Sequence, residues 1–373
     1  MNKLYFLFIA AMLAFVACGS SADDEPKGDE PQKKSFSGTW ITSVASDALD
    51  SRDNIVRTVQ TCADAGITDI FVVVWNNGFT HYPSAVMKEL VGKEIADKYA
   101  GRDPLREIVE EGHLRGLRVH AWFEYGFSSS NGRNGGEIIA ARPQWAAKDR
   151  QGNLLTKNGF EWMNAFDPEV QDFLISLVME VVNGYDVDGV QGDDRMPALP
   201  STGGYDSYTV GQYKLEHNGA EPPADYKNAE WVQWRADRLT DFQKRLYAAV
   251  KAAKPGVTVS NAPSIHPWAK DEYLQDWPAW FRNDCTDLVI PQHYRYDIDA
   301  YESLLAQQVK YLRPQDRSKF YPGVLLRNGS YTPDADFLRK MIEANRRHGF
   351  TGECFWFYEG IPLHPEYFNK KDK

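Results

Sequence analysis

The sequence predicts an α/β fold, a (β/α)8 TIM barrel in a single domain with long loops after strands 2, 3 and 4. Short apolar segments and amphipathic segments alternate from Phe36 almost to the end of the chain, which is the pattern of a parallel sheet covered by helices. Eight such repeats favour closure into a barrel. An open doubly wound sheet is the alternative, but no GxGxxG or P-loop motif opens a helix, so its usual nucleotide functions are not expected.

Apolar runs and helical periodicity predict the positions of the strands and helices. The predicted strands are Trp40–Val44, Asp69–Trp75, Arg118–Glu124, Gly189–Asp193, Val257–Ala262, Leu288–His293, Tyr321–Leu326 and Cys354–Tyr358. The predicted helices are Arg52–Ala65, Asp103–Arg115, Pro168–Val182, Trp231–Lys254, Trp277–Asn283, Tyr301–Leu312 and Pro333–His348. The long loops that remain, Asn76–Arg102, Tyr125–Asp167 and Asp194–Glu230, are expected to wall a cleft on the face of the barrel where such folds keep their chemistry.

Length, charge and composition restrict the function. The 373 residues suffice for one large barrel, and a hydrophobic content of 43% supports a globular core. The formal net charge of −10 argues against nucleic acid as a partner. Aromatic residues make up 13% of the chain, a weak indication of sugar binding because aromatic rings stack on sugars. No cofactor is expected.

The N-terminus has the pattern of a secretion signal. Residues 1–18 combine a charged start, an apolar run and small residues before Cys18, and so resemble a bacterial lipoprotein signal. The acidic residues Asp23-Asp24-Glu25 that follow resemble the surface-export signal of Bacteroidetes lipoproteins. An ordinary signal peptide is the alternative. We expect lipidation of Cys18, a disordered acidic tether over residues 19–35 and the barrel over residues 36–368. The protein would then lie in the cell envelope, anchored to the outer membrane through lipid alone and facing the periplasm or the outside.

The other three cysteines are predicted to be structural. Cys62, Cys285 and Cys354 are odd in number and widely spaced, which is not the pattern of a disulfide framework. We interpret them as small buried apolar residues without chemistry.

The segment YDVDGVQGDD at predicted strand 4 ends in two adjacent carboxylates, Asp193 and Asp194. Because side chains alternate along a strand, Gly189, Gln191 and Asp193 share one side. Gln191 is polar, so that side is expected to face the barrel axis, and Asp193 with it. The alternative is that the two aspartates cap the next segment or close a turn.

Polar and aromatic residues also follow the other strands, and they are expected to meet at the same mouth. Glycoside hydrolysis needs two carboxyl groups beside the scissile bond, and Asp193 with Glu124 or Glu359 would supply them; a structural salt bridge is the alternative for each Glu. The candidate substrate-binding residues are Trp75, Asn76, His81, Trp122, Tyr125, Arg195, His293, Tyr294, Arg295, Asp297 and Trp356.

Several long segments of the chain, in order, resemble the glycosyl hydrolase-like 10 family between Phe36 and Leu363. They are GTWITSV, DPLREIVEEGHLRGLRVHAWFEYGF, WMNAFDPEVQDFLISLVMEVVNGYDVDGVQGDD, WVQWRADRLTDFQKRLYAAVKAAKP, IPQHYRYD and FWFYEGI. The resemblance implies a TIM-barrel glycosidase, and some members act on bacterial cell-wall glycan. The family's strand-4 motif is similar to D-G-[IV]-H-x-D-D, and Gln191 replaces its His.

The resemblance also suggests roles. Asp188 to Asp193 is similar to strand 4 of α-amylase-type barrels, whose final Asp is the nucleophile, so Asp193 is the predicted nucleophile of a retaining mechanism. Glu359 is slightly preferred over Glu124 as the acid, because strands 4 and 8 face each other across a barrel. Asp194 would orient the site or bind sugar hydroxyls. The candidate stacking residues are Trp75, Trp122, Tyr125 and Trp356.

Two other functions remain open. Asp193, Asp194 and Glu124 offer oxygen ligands for Mg²⁺ or Ca²⁺, although no metal is expected because the histidines are scattered. A barrel that binds glycan without cleaving it is the non-enzymatic alternative. Outside the mouth, Arg235 and Asp237 are predicted to form a structural ion pair on one helix.

Overall fold

A computed structural model describes residues 35–368 of the protein. The predicted signal sequence, Cys18 and residues 19–34 of the tether lie outside the described residues. The structure contains eight parallel strands: β1 (Ser37–Ile41), β2 (Asp69–Val73), β3 (Arg118–Phe123), β4 (Gly189–Gly192), β5 (Thr258–Asn261), β6 (Leu288–Val289), β7 (Gly323–Leu325) and β8 (Glu353–Trp356).

The eight strands form one curled sheet in the order β6-β5-β4-β3-β2-β1-β8-β7, with every pair parallel. Backbone hydrogen bonds from Tyr321 N to Val289 O (3.1 Å) and from Gly323 N to Pro291 O (2.9 Å) join the two end strands. This arrangement confirms the eight predicted β/α repeats and the barrel-type sheet, and it excludes an open doubly wound order.

The strand boundaries were less accurate than the strand count. Strand 1 begins three residues before the predicted start, at Ser37, and Val44 at its predicted end is 58% exposed. Strand 6 ends at Val289 instead of His293. Pro291 has no amide hydrogen to donate to a neighbouring strand, which explains the early end of the regular pairing.

Twelve α-helices lie among the described residues: α1 (Arg52–Asp64), α2 (Ala85–Val91), α3 (Pro104–Leu114), α4 (Gly136–Ala141), α5 (Pro168–Gly184), α6 (Ser207–Glu216), α7 (Ala229–Ala253), α8 (Trp268–Tyr273), α9 (Trp277–Arg282), α10 (Ile298–Val309), α11 (Ala335–Arg347) and α12 (Pro365–Phe368). Most long helices begin after an Asp, Asn or Ser whose side chain accepts a hydrogen bond from the first turn, as Asp103 does from Arg106 N at 3.1 Å.

The three long segments after β2, β3 and β4 have structure of their own. The first contains the antiparallel pair Trp75–Asn76 and Phe79–Thr80 together with α2. The second contains a small antiparallel sheet of Ser128–Asn131, Phe160–Trp162 and Thr156–Lys157, with α4 between the first two strands in sequence. The third contains α6.

The inside of the barrel shows which way β4 faces. Gln191 is fully buried; it accepts a hydrogen bond from Trp40 Nε1 of β1 (2.8 Å) and donates one to Ser260 Oγ of β5 (3.2 Å). A Cβ on Gly189 would lie 2.1 Å from His120 Nδ1 of β3, so only glycine fits there. Since Trp40 belongs to a strand that does not pair with β4, Gln191 points across the barrel interior, as the alternation predicted.

A buried charge cluster lies at the opposite end of the barrel, where the strands begin. Asp69 accepts hydrogen bonds from the guanidinium of Arg118 (2.7 Å, twice), from His120 Nε2 (2.9 Å) and from Thr68 Oγ1 (2.6 Å). Burial alone would raise the pKa of Asp69, but the bonds from His120, Arg118 and Thr68 prevail and lower that pKa to about 2. Asp69 therefore stabilises the folded state in its ionised form.

We expect replacement of Asp69 by Asn to lower the free energy of unfolding by about 2 kcal/mol at pH 7. Because the folded-state pKa is depressed, this stabilisation is present above about pH 4 and is lost as the pH falls through about 2. Urea unfolding of the two proteins from pH 7 downwards measures it, with Asp237→Asn on the exposed face of α7 as the control. An equal stability difference at every pH would contradict the assignment.

The three described cysteines and Arg235 are buried in the folded chain. Cys62, Cys285 and Cys354 are unpaired and buried, as predicted. The predicted ion pair between Arg235 and Asp237 is wrong: Arg235 is buried and binds backbone carbonyls, whereas Asp237 accepts from Gln233 at 2.7 Å. Within residues 35–368, every helix is too short or too polar to cross a membrane.

Candidate active site

Arg195, just after β4, is the centre of a group of carboxylates at the mouth of the barrel. Its Nη1 lies 2.9 Å from Asp194 Oδ1, and its Nη2 lies 3.2 Å from Asp193 Oδ2 and 3.6 Å from Glu124 Oε1. Burial acts to lower the pKa of Arg195, but the three carboxylates raise it further than burial lowers it. Three acidic side chains from the ends of β3 and β4 thus share one cation; we call them the Arg195 cluster.

Asp193 is the most buried carboxylate of the Arg195 cluster. Each of its oxygens has a donor nearby: Arg195 Nη2 at Oδ2, and Gln292 Nε2 at 3.4 Å from Oδ1. Burial and the charge of Asp194 raise the pKa of Asp193 well above its ordinary value, and Glu124 adds to this while Arg195 opposes it. The strand therefore ends in a carboxyl group that holds a proton more tightly than an exposed aspartate.

Glu124 is fixed by hydrogen bonds from Asn76 and Arg195. Asn76 Nδ2 donates to Glu124 Oε2 at 2.5 Å, while Arg195 Nε donates to the Glu124 backbone carbonyl at 3.0 Å. Burial raises the pKa of Glu124, with Arg195 and the bond from Asn76 opposing the shift. The other oxygen, Oε1, is 3.6 Å from Arg195 and makes no hydrogen bond with the described residues, so it is the oxygen that can carry a proton.

The long segment after β3 fixes the position of Arg195. Phe127 N donates to Arg195 O at 2.9 Å, and Gly126 approaches the same carbonyl so closely that a Cβ would lie 2.1 Å from it. The guanidinium lies over the ring of Phe160, 4.5 Å from its centroid, and 5.5 Å from that of Tyr125. Backbone bonds, a glycine and two rings therefore hold the cation in one place.

Aromatic residues form the floor beside the Arg195 cluster. The half-buried ring of Trp356 has its centroid 5.9 Å from Trp122, 5.8 Å from Trp40 and 5.9 Å from Tyr294. Burial raises the pKa of Tyr294 well above its ordinary value, and Cys354 and Asp193 add to the shift. Trp356 and Tyr294 are both partly exposed, and Tyr294 lies close enough to Asp193 for that charge to affect its pKa.

Glu359 occupies a different part of the mouth. It lies in the short 3-10 helix Tyr358–Leu363 after β8, where its Oε1 accepts from Ser46 Oγ at 2.6 Å and its Oε2 is 4.0 Å from Arg327 Nη1. Its partners thus come from the loops after β1 and β7, and the structure does not join it to the Arg195 cluster.

Several predicted substrate-binding residues are not available at the mouth. Trp75 is fully buried against Phe173, with its Nε1 bonded to Gly126 O at 3.0 Å. His81 and His293 are buried beside other rings, and burial lowers the pKa of each to about 4. The structure therefore buries these three side chains in the core, and their role in substrate binding stays a prediction.

Four further predicted residues have other surroundings. Asp297 is the N-cap of α10 and accepts from Ala300 N at 2.8 Å. Arg295 donates to Tyr294 O at 2.7 Å, and burial lowers its pKa. Tyr125 is buried against Phe160, and Trp122 is buried beneath Trp356. These contacts support the site from behind and leave no open ring on Tyr125 or Trp122 for stacking.

Three residues near the Arg195 cluster were not among the predicted site residues. Gln292 follows β6 at the same end of the barrel, and this position after a strand is the sequence signal that marks it. Phe160 lies in the small sheet after β3. Tyr273 lies at the end of α8, where burial and the charge of Asp194 raise its pKa to about 12. Phe160 and Tyr273 lie outside the eight barrel strands, in the segments after β3 and β5, so no barrel strand end marks their positions.

A metal does not fit the described residues. No group of three or more His, Cys, Asp or Glu side chains within residues 35–368 is arranged to hold an ion. Asp193, Asp194 and Glu124, the oxygen set considered from the sequence, already surround the guanidinium of Arg195. The cation of this site is therefore part of the chain.

The sequence profile of the glycosyl hydrolase-like 10 family matches residues 35–328, which includes β1 to β7 and the whole Arg195 cluster. The chain belongs to the glycosyl hydrolase-like 10 family. This confirms the predicted family, with a match that ends before the β8 motif FWFYEGI, whereas the Bacteroidetes lipoprotein type stays a prediction.

Two named relatives are similar to this chain at low sequence identity. Glycosyl hydrolase DigH of Escherichia coli K12 is 25% identical over 351 residues, which cover 79% of this chain and 77% of DigH. Glycosyl hydrolase YngK of Bacillus subtilis is 24% identical over 280 residues, covering 68% of this chain and 51% of YngK. A glycosidase-type function of this glycosyl hydrolase-like 10 protein agrees with both names.

Solved structures show the same fold. The PgaB (BpsB) glycoside hydrolase domain from Bordetella bronchiseptica superimposes with a TM-score of 0.65 at 12% identity, covering 91% of this chain and 99% of that domain. The catalytic domain of a β-amylase from Paenibacillus polymyxa gives a TM-score of 0.61 at 11% identity, with 91% and 99% covered. At such identities the likeness concerns the barrel alone.

Proposed function

We propose that this protein is a retaining glycoside hydrolase acting on a poly- or oligosaccharide, with Asp193 as nucleophile and Glu124 as acid and base. The observation that supports this most is the Arg195 cluster, in which two carboxyl groups from adjacent strands contact the same guanidinium nitrogen at 3.2 and 3.6 Å. Those two oxygens are therefore at most about 7 Å apart, a span that includes the ~5 Å of retaining enzymes.

The hydrogen bonds support this division of roles. Among residues 35–368, Glu124 Oε1 has no hydrogen-bond partner while Oε2 accepts a hydrogen bond from Asn76. Burial raises the pKa of Glu124, as a proton donor at neutral pH requires. Asp193 also has a raised pKa, but a donor lies near each of its oxygens, so we assign the carboxylate form to Asp193 while Glu124 holds the proton. Asp193 and Glu124, whose pKa values are both raised, then retain one proton between them, and Glu124 donates it to the leaving group.

The reaction then proceeds in two steps. Asp193 attacks the anomeric carbon, and Glu124 transfers its proton to the leaving oxygen, which breaks the glycosidic bond and forms a glycosyl ester. Ionised Glu124 next takes a proton from water, whose oxygen displaces Asp193 and releases the sugar. Arg195 stabilises the negative charge of whichever of the two carboxyl groups is ionised in each step. The rings of Trp356 and Tyr294 face the sugar. With a lipid on Cys18, this reaction would take place at the cell envelope.

The acid role of Glu124 has a specific test. In Glu124→Ala, we expect turnover of natural glycan to fall by about 10³-fold or more, because the leaving oxygen is no longer protonated. An aryl glycoside of the same sugar, whose leaving group needs no proton, should still form the glycosyl ester at a near-normal rate, and added azide should restore turnover with a product of retained configuration. Burst kinetics and nuclear magnetic resonance of the product measure both.

The matched control is Glu359→Gln, since Glu359 is the other acid considered from the sequence. It should lose less than about tenfold in kcat/KM on either substrate. If instead Glu359→Gln shows the leaving-group dependence and Glu124→Ala does not, the acid is Glu359. If the wild type binds glycan but releases no product from any substrate, the protein is a binding module.

A further inference from the structure

A second cavity lies between the segments that follow β3 and β4, away from the Arg195 cluster. Its volume is about 410 Å³, and its lining includes Arg150, Gln151, Thr156, Tyr205 and Tyr226. This is within the range of a site for one or two sugar units. The lining combines two aromatic rings with a guanidinium, an amide and a hydroxyl, which is the mixture that sugar binding uses.

Buried contacts hold this cavity in shape. Arg235, completely buried in α7, donates to the carbonyls of Gly203 and Tyr226 at 2.6 Å each. Asp149 pairs with Gly203 as an antiparallel bridge between the two segments. Arg235 also donates to the carbonyls of Trp231 and Ser201 and lies over the ring of Trp231. It therefore joins α7 to the Ser201–Gly203 turn and to Tyr226 of the cavity lining, which fixes the position of that wall.

Two of the lining side chains, those of Tyr226 and Arg150, are open to a ligand, whereas Tyr205 and Thr156 donate to backbone carbonyls. Lys227 Nζ lies 5.8 Å from the ring centroid of Tyr226. Tyr226 is 36% exposed although its carbonyl is bound, and Arg150 is exposed and forms no ion pair with the residues that the structure describes. The carboxylate of Asp149, by contrast, accepts from Gln151 N and Asn153 N at 2.9 Å and is used by its own turn. Tyr226 and Arg150 are thus the groups that a ligand would meet.

A chain of contacts connects this cavity with the catalytic residues. Thr156 in its wall is followed by Lys157, whose Nζ lies 2.7 Å from Glu272 Oε2 and 4.3 Å from the ring centroid of Tyr273. Tyr273 is in turn close enough to Asp194 for that charge to raise its pKa. The cavity therefore lies beyond Tyr273 on the same face of the barrel.

We propose that this cavity is a second sugar-binding site, which holds a distal part of the glycan that the Arg195 cluster cleaves. The proposal rests on the proposed function for the identity of its ligand. Tyr226 provides the stacking surface, Arg150 binds ring hydroxyls or a sugar carboxylate, and Arg235 keeps the wall in place. A long glycan would occupy both sites, whereas a short one would reach only the catalytic residues.

Binding and turnover of glycans of increasing length test this inference. The probes are chito-oligosaccharides and glycan strands from amidase-treated peptidoglycan, a neutral and a carboxylated series. In the full chain carrying Glu124→Gln, which binds without cleaving, the added changes Tyr226→Ala and Arg150→Ala should together weaken calorimetric binding of the longest probe about tenfold and leave the shortest unchanged. The matched controls are Leu215→Ala and Arg339→Ala, on exposed faces of α6 and α11.

In the otherwise wild-type chain, the same pair of changes should raise KM for long glycans about tenfold with kcat unchanged, because only distal binding is lost. An equal affinity of variant and parent for every length overturns the inference, even if the enzyme cleaves normally. A wild type that cleaves no glycan overturns the proposed function, and the binding comparison then decides the second site by itself. A weakening confined to the carboxylated series assigns Arg150 to the acidic group.

Discussion

Asp193→Asn is expected to reduce kcat/KM for glycan hydrolysis by about 10³-fold or more while the protein remains folded. The amide of Asn cannot attack the anomeric carbon, so the first step of the reaction is lost. Binding of the glycan should persist, because the floor around Trp356 and Tyr294 is unchanged. Reducing-end release measures the loss of activity, and calorimetry with the longest glycan measures the binding that remains.

The same variant is expected to be more stable than the wild type. Burial and Asp194 raise the pKa of Asp193, so the folded state retains a proton that the unfolded state releases. The wild type therefore loses stability, relative to the variant, as the pH rises from about 4 through the raised pKa of Asp193. Thermal unfolding from pH 5 to pH 8 should show a growing advantage of Asp193→Asn, whereas Asp237→Asn on the exposed face of α7 should show none. A less stable Asp193→Asn at pH 8 would contradict the charge balance described for the site.

Arg195→Met is expected to have the largest effect on stability, about 3–5 kcal/mol at pH 7. The change removes the one cation that Asp193, Asp194 and Glu124 share. The pKa values of Asp193 and Glu124 would then rise further, so the loss of stability should grow as the pH rises and shrink as the pH falls towards 4. Urea unfolding across this pH range measures the effect.

Arg195→Lys distinguishes charge from geometry. An ammonium group keeps the charge, but it cannot place separate nitrogens against Asp194 and the other two carboxylates. We expect this variant to recover most of the stability and little of the activity. If Arg195→Met were as stable as the wild type at every pH between 5 and 8, the guanidinium would not be the counter-charge of the site.

Much of the fold was predictable because it repeats a simple pattern. Apolar strands such as Asp69–Val73 and amphipathic helices such as Arg52–Asp64 are marked by their own residues, and their alternation specifies a parallel barrel. Strand ends were harder, since they depend on pairing: β6 stops before Pro291, whose missing amide affects a neighbouring strand. Short helices such as α2 and α6 lie within long loops, where periodicity is too brief to detect.

The part of the site that could be predicted consists of residues that directly follow a barrel strand. The alternation along β4 placed Gln191 inside the barrel, and the position of Glu124 at the end of β3 brought it to Arg195. The choice between Glu124 and Glu359 could not be made, because it depends on which loop turns a side chain towards β4. The burial of His81 and His293 could not be predicted for the same reason. A polar residue after a strand can be buried when its ring packs between neighbouring elements.

The most direct test of the proposed glycosidase is reducing-end release from a panel of polysaccharides by the wild type, Asp193→Asn, Glu124→Gln and Glu359→Gln side by side. The account predicts product from the wild type and from Glu359→Gln, and none above background from the two variants of the Arg195 cluster. Product from Asp193→Asn at the wild-type rate would contradict it, because the bond would then be broken without the carboxylate at the end of β4.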